Sequence, residues 1–274
     1  MTAPPLDSLE RLDRVLDSLG PVMVAVSGGI DSLTLMAAAH RRGPGLARAA
    51  HASSPAVPAA ALERLQAIAA RQQWALDIVD AGELRDPDYR RNPLDRCYFC
   101  KSNLYRALEH LACRTGIVVV SGANVDDLSD FRPGLEAARQ KGVRHPFIEA
   151  AIGKAGIRRL ARTLGLGDLA DLPASPCLSS RVETGIAIDA RLLAAIDRAE
   201  TAVRHALGAH VVRCRIRPDT CTIELGDDTM WPVDTLDAVA VTVAGILRDA
   251  GSARPVTFAR YHMGSAFVGA PGPR

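Results

Sequence analysis

The chain lacks long apolar runs and a strong charge of either sign. Its 274 residues carry a formal net charge of +2, and no stretch approaches the roughly 20 apolar residues that cross a membrane. Charges interrupt the N-terminal segment MTAPPLDSLERLDRVLDSLG, which is typical of a short amphipathic helix and not of a signal peptide. The small net charge gives no argument for a nucleic-acid partner. We therefore expect a cytoplasmic protein with neither a membrane nor a nucleic-acid partner.

Strand-like and helical segments alternate through the first two-thirds of the chain. The predicted strands are 22–26, 46–52, 75–80 and 117–124, and the predicted helices between them are 31–42, 58–73 and 101–116. Strands that alternate with helices indicate an α/β fold, in which a parallel sheet carries helices on both faces. Ligands of such folds bind at the carboxyl ends of the strands.

The pattern changes near residue 186. A helix at 188–208 precedes two alternating runs joined by Pro218 and Asp219, which is typical of a hairpin, and a helix at 234–250 and a strand at 255–260 follow. We predict a main domain of residues 1–185 and a smaller α+β C-terminal domain of residues 186–274.

The turn after the first predicted strand is rich in glycine and hydroxyl groups. It reads SGGIDS, from Ser27 through Gly28, Gly29 and Asp31 to Ser32. The turn lacks the lysine of a Walker-type loop and the three glycines of a dinucleotide-binding loop. Such a turn can seat an anion because helix N-terminal amides point at it, although a Gly-Gly pair can also serve turn geometry alone.

The cysteines divide into two groups. Cys97 and Cys100 form a Cys-x-x-Cys pair at the start of a predicted helix, and Cys177 lies in a loop that contains Pro173 and Pro176. In a cytosolic protein such a pair is a redox couple, half of a zinc site or part of an iron–sulfur site, and no second Cys-x-x-Cys completes a zinc ribbon. Three thiolates would leave one iron of a cluster open.

The remaining cysteines are predicted to be buried packing residues, because free cysteine is often buried. These are Cys113, Cys214 and Cys221.

The SGGIDS turn at the end of the first strand resembles the pyrophosphate loop, or PP-loop, of the ATP pyrophosphatase superfamily. This resemblance implies an adenine nucleotide alpha hydrolase-like, Rossmann-like domain that binds ATP with Mg²⁺. It further implies cleavage of ATP between its α and β phosphates, with release of pyrophosphate.

Longer motifs resemble the LarE family of ATP-dependent sulfur transferases. They are RNPLDRCYFCKSNLY, GANVDDLSDFRPG, KGVRHPFIEA and PASPCLSSRVETG. The resemblance implies adenylation of a carboxylate of pyridinium-3,5-biscarboxylic acid mononucleotide and replacement of oxygen by sulfur, a step in nickel-pincer nucleotide biosynthesis. Some members take the sulfur from the cysteine that matches Cys177; others hold a 4Fe-4S cluster on three cysteines. Because Cys97, Cys100 and Cys177 are all present, the chain resembles the cluster type.

The resemblance assigns roles to further residues. Asp31 and Cys177 are expected to be catalytic, and Cys97, Cys100 and Cys177 are expected to be the metal ligands. ATP binding is expected at Ser27, Gly28, Gly29, Asp31, Ser32, Asn124 and Asp127. Arg132, Arg144, Ser180 and Arg181 are expected to bind substrate, since arginine grips carboxylate or phosphate with two donors. A small-molecule nucleotide substrate, sulfide or another sulfur donor, and a homo-oligomer complete the expected partners.

Several of these residues have alternative interpretations. Asn124, Asp126 and Asp127 could satisfy a turn instead of ATP or Mg²⁺. Lys101 could lower the pKa of Cys100 or be solvated. Glu224 matches a family glutamate but could be a strand-edge carboxylate.

The chain also departs from the family pattern. Leu172, His145 and His262 stand where lysine, serine and arginine are usual. The alternative function is that of a PP-loop tRNA thiolase with a three-cysteine cluster.

Overall fold

The structure is a computed structural model and describes residues 7–113, 116–129, 132–170, 176–226, 230–262 and 264–266. Leu172, together with the first three residues of the PASPC segment, lies outside the described residues.

The main sheet has four parallel strands in the order β3-β2-β1-β4. Parallel pairing places every carboxyl end at one edge of the sheet, so the predicted α/β architecture is confirmed. The strands are β1 (Val22–Ala25), β2 (Ala47–Ala52), β3 (Leu76–Val79) and β4 (Val118–Ser121).

Helices cover both faces of this sheet. Residues of α1, α2, α3 and α8 pack in one apolar cluster, and residues of α5 and α6 pack in another. The helices are α1 (Ser8–Leu19), α2 (Ile30–His40), α3 (Ala59–Arg71), α4 (Pro87–Arg90), α5 (Arg96–Ala112), α6 (Pro133–Gln140), α7 (Pro146–Glu149), α8 (Lys154–Thr163) and α9 (Gly167–Ala170).

The C-terminal part has the predicted αββαβ order. Strands β5 and β6 form an antiparallel hairpin, and β7 pairs parallel to β6. The elements are α10 (Ala190–Leu207), β5 (Val212–Ile216), β6 (Cys221–Leu225), α11 (Val233–Asp249) and β7 (Val256–Arg260).

The apolar cluster of this second sheet extends beyond residues 186–274. Leu178 and Val182 belong to it, as does Tyr89. Val182 also forms an isolated parallel bridge with Ile216. The segment that contains Cys177 is therefore held by the second sheet, and the boundary at residues 185 and 186 stays a prediction.

No helix in the part of the chain that the structure describes is both long and apolar enough to cross a membrane.

Candidate functional site

Hydroxyl contacts close the turn between β1 and α2. The Ser27 amide donates to Ser32 Oγ (3.1 Å), and the Ser32 hydroxyl donates to the Gly29 carbonyl (3.0 Å). Gly28 has a φ of 81°, the left-handed region that favours glycine. The N-cap residue of α2 is Gly29, which has no side chain to cap the helix, so the positive end of the helix dipole can attract an anion. Ser32 thus shapes the turn at the start of α2.

A polar cluster surrounds Asp31, where β1 and β4 end. Asn124 Nδ2 donates to Asp31 Oδ2 (3.2 Å), and the Asn124 amide donates to Asp127 Oδ2 (3.1 Å). Burial, and then the charge of Asp127, raises the pKa of Asp31, against the opposing effects of Lys154, Asn124 and Arg132. Carboxylate and amide oxygens are ligands that Mg²⁺ prefers. The structure thus brings together Asp31, Asn124 and Asp127.

Two neighbours of this cluster have different roles. Arg132 Nη2 lies 2.9 Å from Asp127 Oδ1, and the Arg132 side chain is 45% exposed, so the guanidinium lies beside the cluster at the surface. Asp126 instead accepts from the Lys154 amide (2.6 Å), where α8 begins. The Asp126 carboxylate therefore caps α8, a contact that the sequence pattern did not predict.

A cavity of about 510 Å³ lies at the carboxyl ends of β2 and β3. Ser53, Asp80 and Glu83 are among its lining residues. Glu83 is only 4% exposed, and its Oε2 has no hydrogen-bond partner among the described residues. A buried acceptor in this state costs free energy until a donor reaches it, so Glu83 is suited to accept from a hydroxyl or amine of a ligand.

The three predicted cysteines lie close enough for their charges to interact. The charge of Cys177 raises the pKa of both Cys97 and Cys100, adding to the larger effect of burial. For Cys100 the result is a pKa of about 12. Cys97 and Cys100 lie in the first two turns of α5, and Cys177 directly precedes the 3₁₀ turn Leu178–Arg181. The fold thus gathers thiols that are far apart in sequence.

Charged groups flank the thiols. Lys101 lowers the pKa of Cys100, as the sequence suggested, but burial outweighs this effect. Burial lowers the pKa of Lys101, but Tyr105 and the three thiols raise it by more, so the pKa lies above its ordinary value. The charge of Glu83 also raises the pKa of Cys100. Leu84, the next residue in the cavity wall, packs with Cys100 against the apolar cluster of the second sheet.

Arg181 occupies a different position from the substrate-facing one that was predicted. Its side chain is 2% exposed, and its guanidinium forms a two-point ion pair with Glu200, with Nε 2.8 Å from Oε1. A further nitrogen donates to the carbonyls of Pro176 (2.7 Å) and Cys177 (3.2 Å). Arg181 therefore holds the Cys177 turn, because α10 supplies a buried carboxylate that the local motif does not reveal.

Ser180 and Arg144 also make internal contacts. The Ser180 hydroxyl donates to the Cys177 carbonyl (2.7 Å). Arg144 forms a two-point pair with Glu149 (Nε to Oε1, 2.9 Å), and this contact raises the pKa of Arg144. His145 lies 2.8 Å through Nδ1 from Ser121 Oγ at the end of β4. Ser180 thus supports the Cys177 turn, and Arg144 already has a carboxylate partner.

One prediction about the other cysteines is wrong. Cys113 is exposed, because α5 ends at Ala112 and Cys113 lies past its last turn. Cys214 and Cys221 are fully buried, as predicted, with their sulfur atoms 3.4 Å apart.

Two buried carboxylates, Glu200 and Glu224, form ion pairs that the sequence pattern did not predict. Glu200 is 1% exposed and accepts from the Cys214 amide (3.0 Å) as well as from Arg181. Glu224 is also buried, 2.9 Å through Oε2 from Arg215 Nε, and is not a strand-edge carboxylate. A carboxylate among apolar residues on one face of α10 was the available signal for Glu200.

The donor chemistry of the three predicted cysteines is that of an iron–sulfur site. In the described part of the chain, His, Cys, Asp and Glu side chains do not form a preassembled metal site. Three neighbouring thiols are the soft ligands of iron–sulfur clusters, in which separate thiolates hold the cluster. Cys97, Cys100 and Cys177 therefore fit a cluster by the chemistry of their side chains.

The fold and the first turn define the class of the protein. A parallel sheet whose first strand runs into a Ser-Gly-Gly turn and a helix is the architecture of a PP-loop domain. The smaller three-stranded sheet follows it in the chain.

Comparison with known proteins identifies the family. No family model matches the chain. It is 32% identical to the pyridinium-3,5-bisthiocarboxylic acid mononucleotide synthase of Lactiplantibacillus plantarum over 216 residues, which are 78% of each chain. It is 38% identical to an uncharacterised protein of Synechocystis over 79% of this chain and 81% of the other. It also matches an uncharacterised protein of Methanocaldococcus jannaschii at 32% identity over 50% of this chain and 54% of the other.

The chain belongs to the LarE family of sulfur transferases.

Proposed function

We propose that this protein is an ATP-dependent sulfur transferase that acts on pyridinium-3,5-biscarboxylic acid mononucleotide. A carboxylate oxygen of the substrate attacks the α phosphate of ATP, which gives an acyl adenylate and releases pyrophosphate. Sulfur then attacks the activated carbonyl carbon and AMP leaves, so that a thiocarboxylate is formed. The relative from Lactiplantibacillus plantarum, named for the bisthiocarboxylic acid product, supports this choice of substrate.

The edge of the main sheet supports the nucleotide half of the proposal. The open start of α2 would hold the pyrophosphate of ATP, and Asp31, Asn124 and Asp127 would hold Mg²⁺ beside it. The cavity after β2 and β3 continues along the same edge and offers space for the adenosine. Glu83 Oε2 would then accept from a hydroxyl or amine of the nucleoside.

One observation carries the proposal. Leu84 lines the cavity at the strand ends, and Leu84 and Cys100 pack against the same apolar cluster. A substrate carboxylate activated in this cavity would therefore lie near the thiols that are proposed to supply the sulfur chemistry.

The thiol cluster supports the sulfur half. Cys97, Cys100 and Cys177 would hold a 4Fe-4S cluster, which would supply an open iron position for sulfide. The Lys101 ammonium group lies beside these thiols, where it would attract an anionic sulfur donor or the substrate carboxylate. Arg132, whose side chain is 45% exposed, would contact the substrate.

A single reaction mixture tests the proposal. Anaerobically prepared protein is incubated with Mg-ATP, the pyridinium biscarboxylate and sulfide, and the products are identified by mass spectrometry. AMP, pyrophosphate and a substrate in which sulfur has replaced oxygen are expected. ADP and orthophosphate as main products would refute it, and Cys177→Ala should lose sulfur transfer while the exposed-site control Cys113→Ala retains it.

The intact mass of the protein distinguishes the two sulfur sources. With cluster-borne sulfur the polypeptide mass is unchanged and activity depends on added sulfide. Dehydroalanine at position 177 after one turnover would instead show that Cys177 itself gives up its sulfur.

A further inference from the structure

The 3₁₀ turn after Cys177 is held by three buried arginines that come from different elements. Arg96 lies in α5, Arg181 in the turn itself and Arg215 in β5, and these residues are between 2% and 4% exposed. Arg96 donates to the Ser179 carbonyl (2.8 Å), Arg181 to those of Pro176 (2.7 Å) and Cys177 (3.2 Å), and Arg215 to that of Ser180 (2.9 Å).

Arg96 differs from the other two arginines in what it connects. It is the first residue of α5 and directly precedes Cys97, so its side chain runs from the segment of Cys97 and Cys100 to the turn of Cys177. Arg181 instead pairs with Glu200 of α10.

Asn92 fixes the orientation of the Arg96 guanidinium. The same Arg96 nitrogen, Nη1, donates to Asn92 Oδ1 (2.5 Å) and to the Ser179 carbonyl. Asn92 Nδ2 in turn donates to the carbonyls of Glu183 and Ile186, both at 2.9 Å. Asn92 thus binds the chain that follows the Cys177 turn while it orients Arg96.

We infer that Arg96 is a positioning residue that sets the spacing between Cys177 and the pair Cys97 and Cys100. Within α5, Cys97 and Cys100 are three residues apart and so lie on one face of the helix. The distance from these two thiols to Cys177 therefore depends on where the 3₁₀ turn lies relative to that face. A buried charge-assisted hydrogen bond from α5 to the turn fixes this distance. The inference rests on the proposed three-thiol site.

Thiol crosslinking in metal-free protein tests the inference without iron or sulfur transfer. Cys100 and the exposed Cys113 are replaced by serine, which leaves Cys97 and Cys177 as the reactive thiols because Cys214 and Cys221 are fully buried. Dibromobimane, which joins only neighbouring thiols, then reports their spacing. The compared chains carry Arg96, Arg96→Lys or Arg96→Gln.

A matched control separates spacing from general destabilisation. Arg215→Lys removes a guanidinium of similar burial that holds the next carbonyl of the turn but belongs to β5. It should lower the unfolding temperature yet keep the crosslinking rate. Arg96→Gln should slow crosslinking, and Arg96→Lys should restore part of the rate.

Iron content after anaerobic reconstitution of the chains with all cysteines is the second measurement. Arg96→Gln should lower the affinity for iron by about 10-fold to 100-fold, as loss of a group that orients ligands does. Folded Arg96→Gln protein with the parent crosslinking rate would overturn the inference, and if that variant fails to fold, a parent rate in Arg96→Lys would do so. If Arg96→Gln slows crosslinking but the parent chain binds no iron after reconstitution, the result supports the inference and counts against the proposed cluster.

Discussion

Gly122 lies directly against the backbone of Ser32. A methyl group on Gly122 would come within 2.8 Å of the Ser32 amide nitrogen and 3.0 Å of the Asp31 carbonyl carbon. The chain that leaves β4 therefore packs on the first turn of α2, where the anion seat lies. The approach is possible only without a side chain at this position.

Replacement of Gly122 by alanine should weaken nucleotide binding. The added carbon forces the start of α2 away from β4, and the backbone on both sides cannot yield as a flexible side chain would. Titration with a non-hydrolysable ATP analogue should show a loss of about tenfold or more. Gly245→Ala in α11 is the control: outside its own helix, no atom of the described residues lies within 4 Å of the new methyl, and the change should be neutral or slightly stabilising. Unchanged affinity in Gly122→Ala would contradict the packing argument.

Replacement of Asp31 by asparagine should stabilise the ligand-free protein at neutral pH while it abolishes pyrophosphate release. Burial and Asp127 raise the pKa of Asp31 above its ordinary value of 3.8, so the folded state binds this proton more tightly than the unfolded state. The ionised carboxylate therefore opposes folding at neutral pH, and this cost disappears as the pH falls below 3.8. Thermal unfolding of both proteins from pH 7 to pH 3 measures the difference, which should shrink towards acid pH. A variant less stable at pH 7 would show that the carboxylate supports the fold.

Replacement of Glu200 by glutamine should destabilise the protein by about 3–5 kcal/mol, because it leaves the Arg181 charge buried without its carboxylate. Both side chains of this pair are 2% exposed. Urea unfolding measures the change in the free energy of unfolding. Glu136→Gln breaks the exposed pair with Arg139 and should change the stability little, because solvent screens a surface ion pair. Equal losses in the two variants would mean that burial does not govern the Arg181–Glu200 pair.

Cys113 should react first with an aromatic disulfide reagent under native conditions, because it is exposed while Cys214 and Cys221 are fully buried. The rapid phase should vanish in Cys113→Ser. The thiols of Cys214 and Cys221 should become reactive only when the protein unfolds in denaturant. Peptide mapping of the product after brief labelling identifies the modified residue, and fast labelling of Cys214 in native protein would contradict the burial of the hairpin.

Local patterns were sufficient for most of the fold. The run Val22–Ala25 is buried on both faces of the main sheet, and such a run in front of a glycine turn is a strong signal for a parallel strand. The hairpin of β5 and β6 followed in the same way from its alternation. Cys113 was misjudged because helix ends depend on tertiary contacts that the sequence pattern does not contain.

The sequence by itself determined the order of strands and helices, the glycine turn after β1 and the presence of three cysteines in two motifs. These features depend on residues that are near each other in the chain. Only the tertiary structure decided what each polar side chain contacts. Arg181 and Arg132 are both arginines in loop motifs, yet Arg181 is buried against Glu200 and Arg132 is nearly half exposed beside Asp127. The difference arises because the partner of a charged group comes from a distant segment, and the cost of burying that charge can be met only where the fold brings the partner to it.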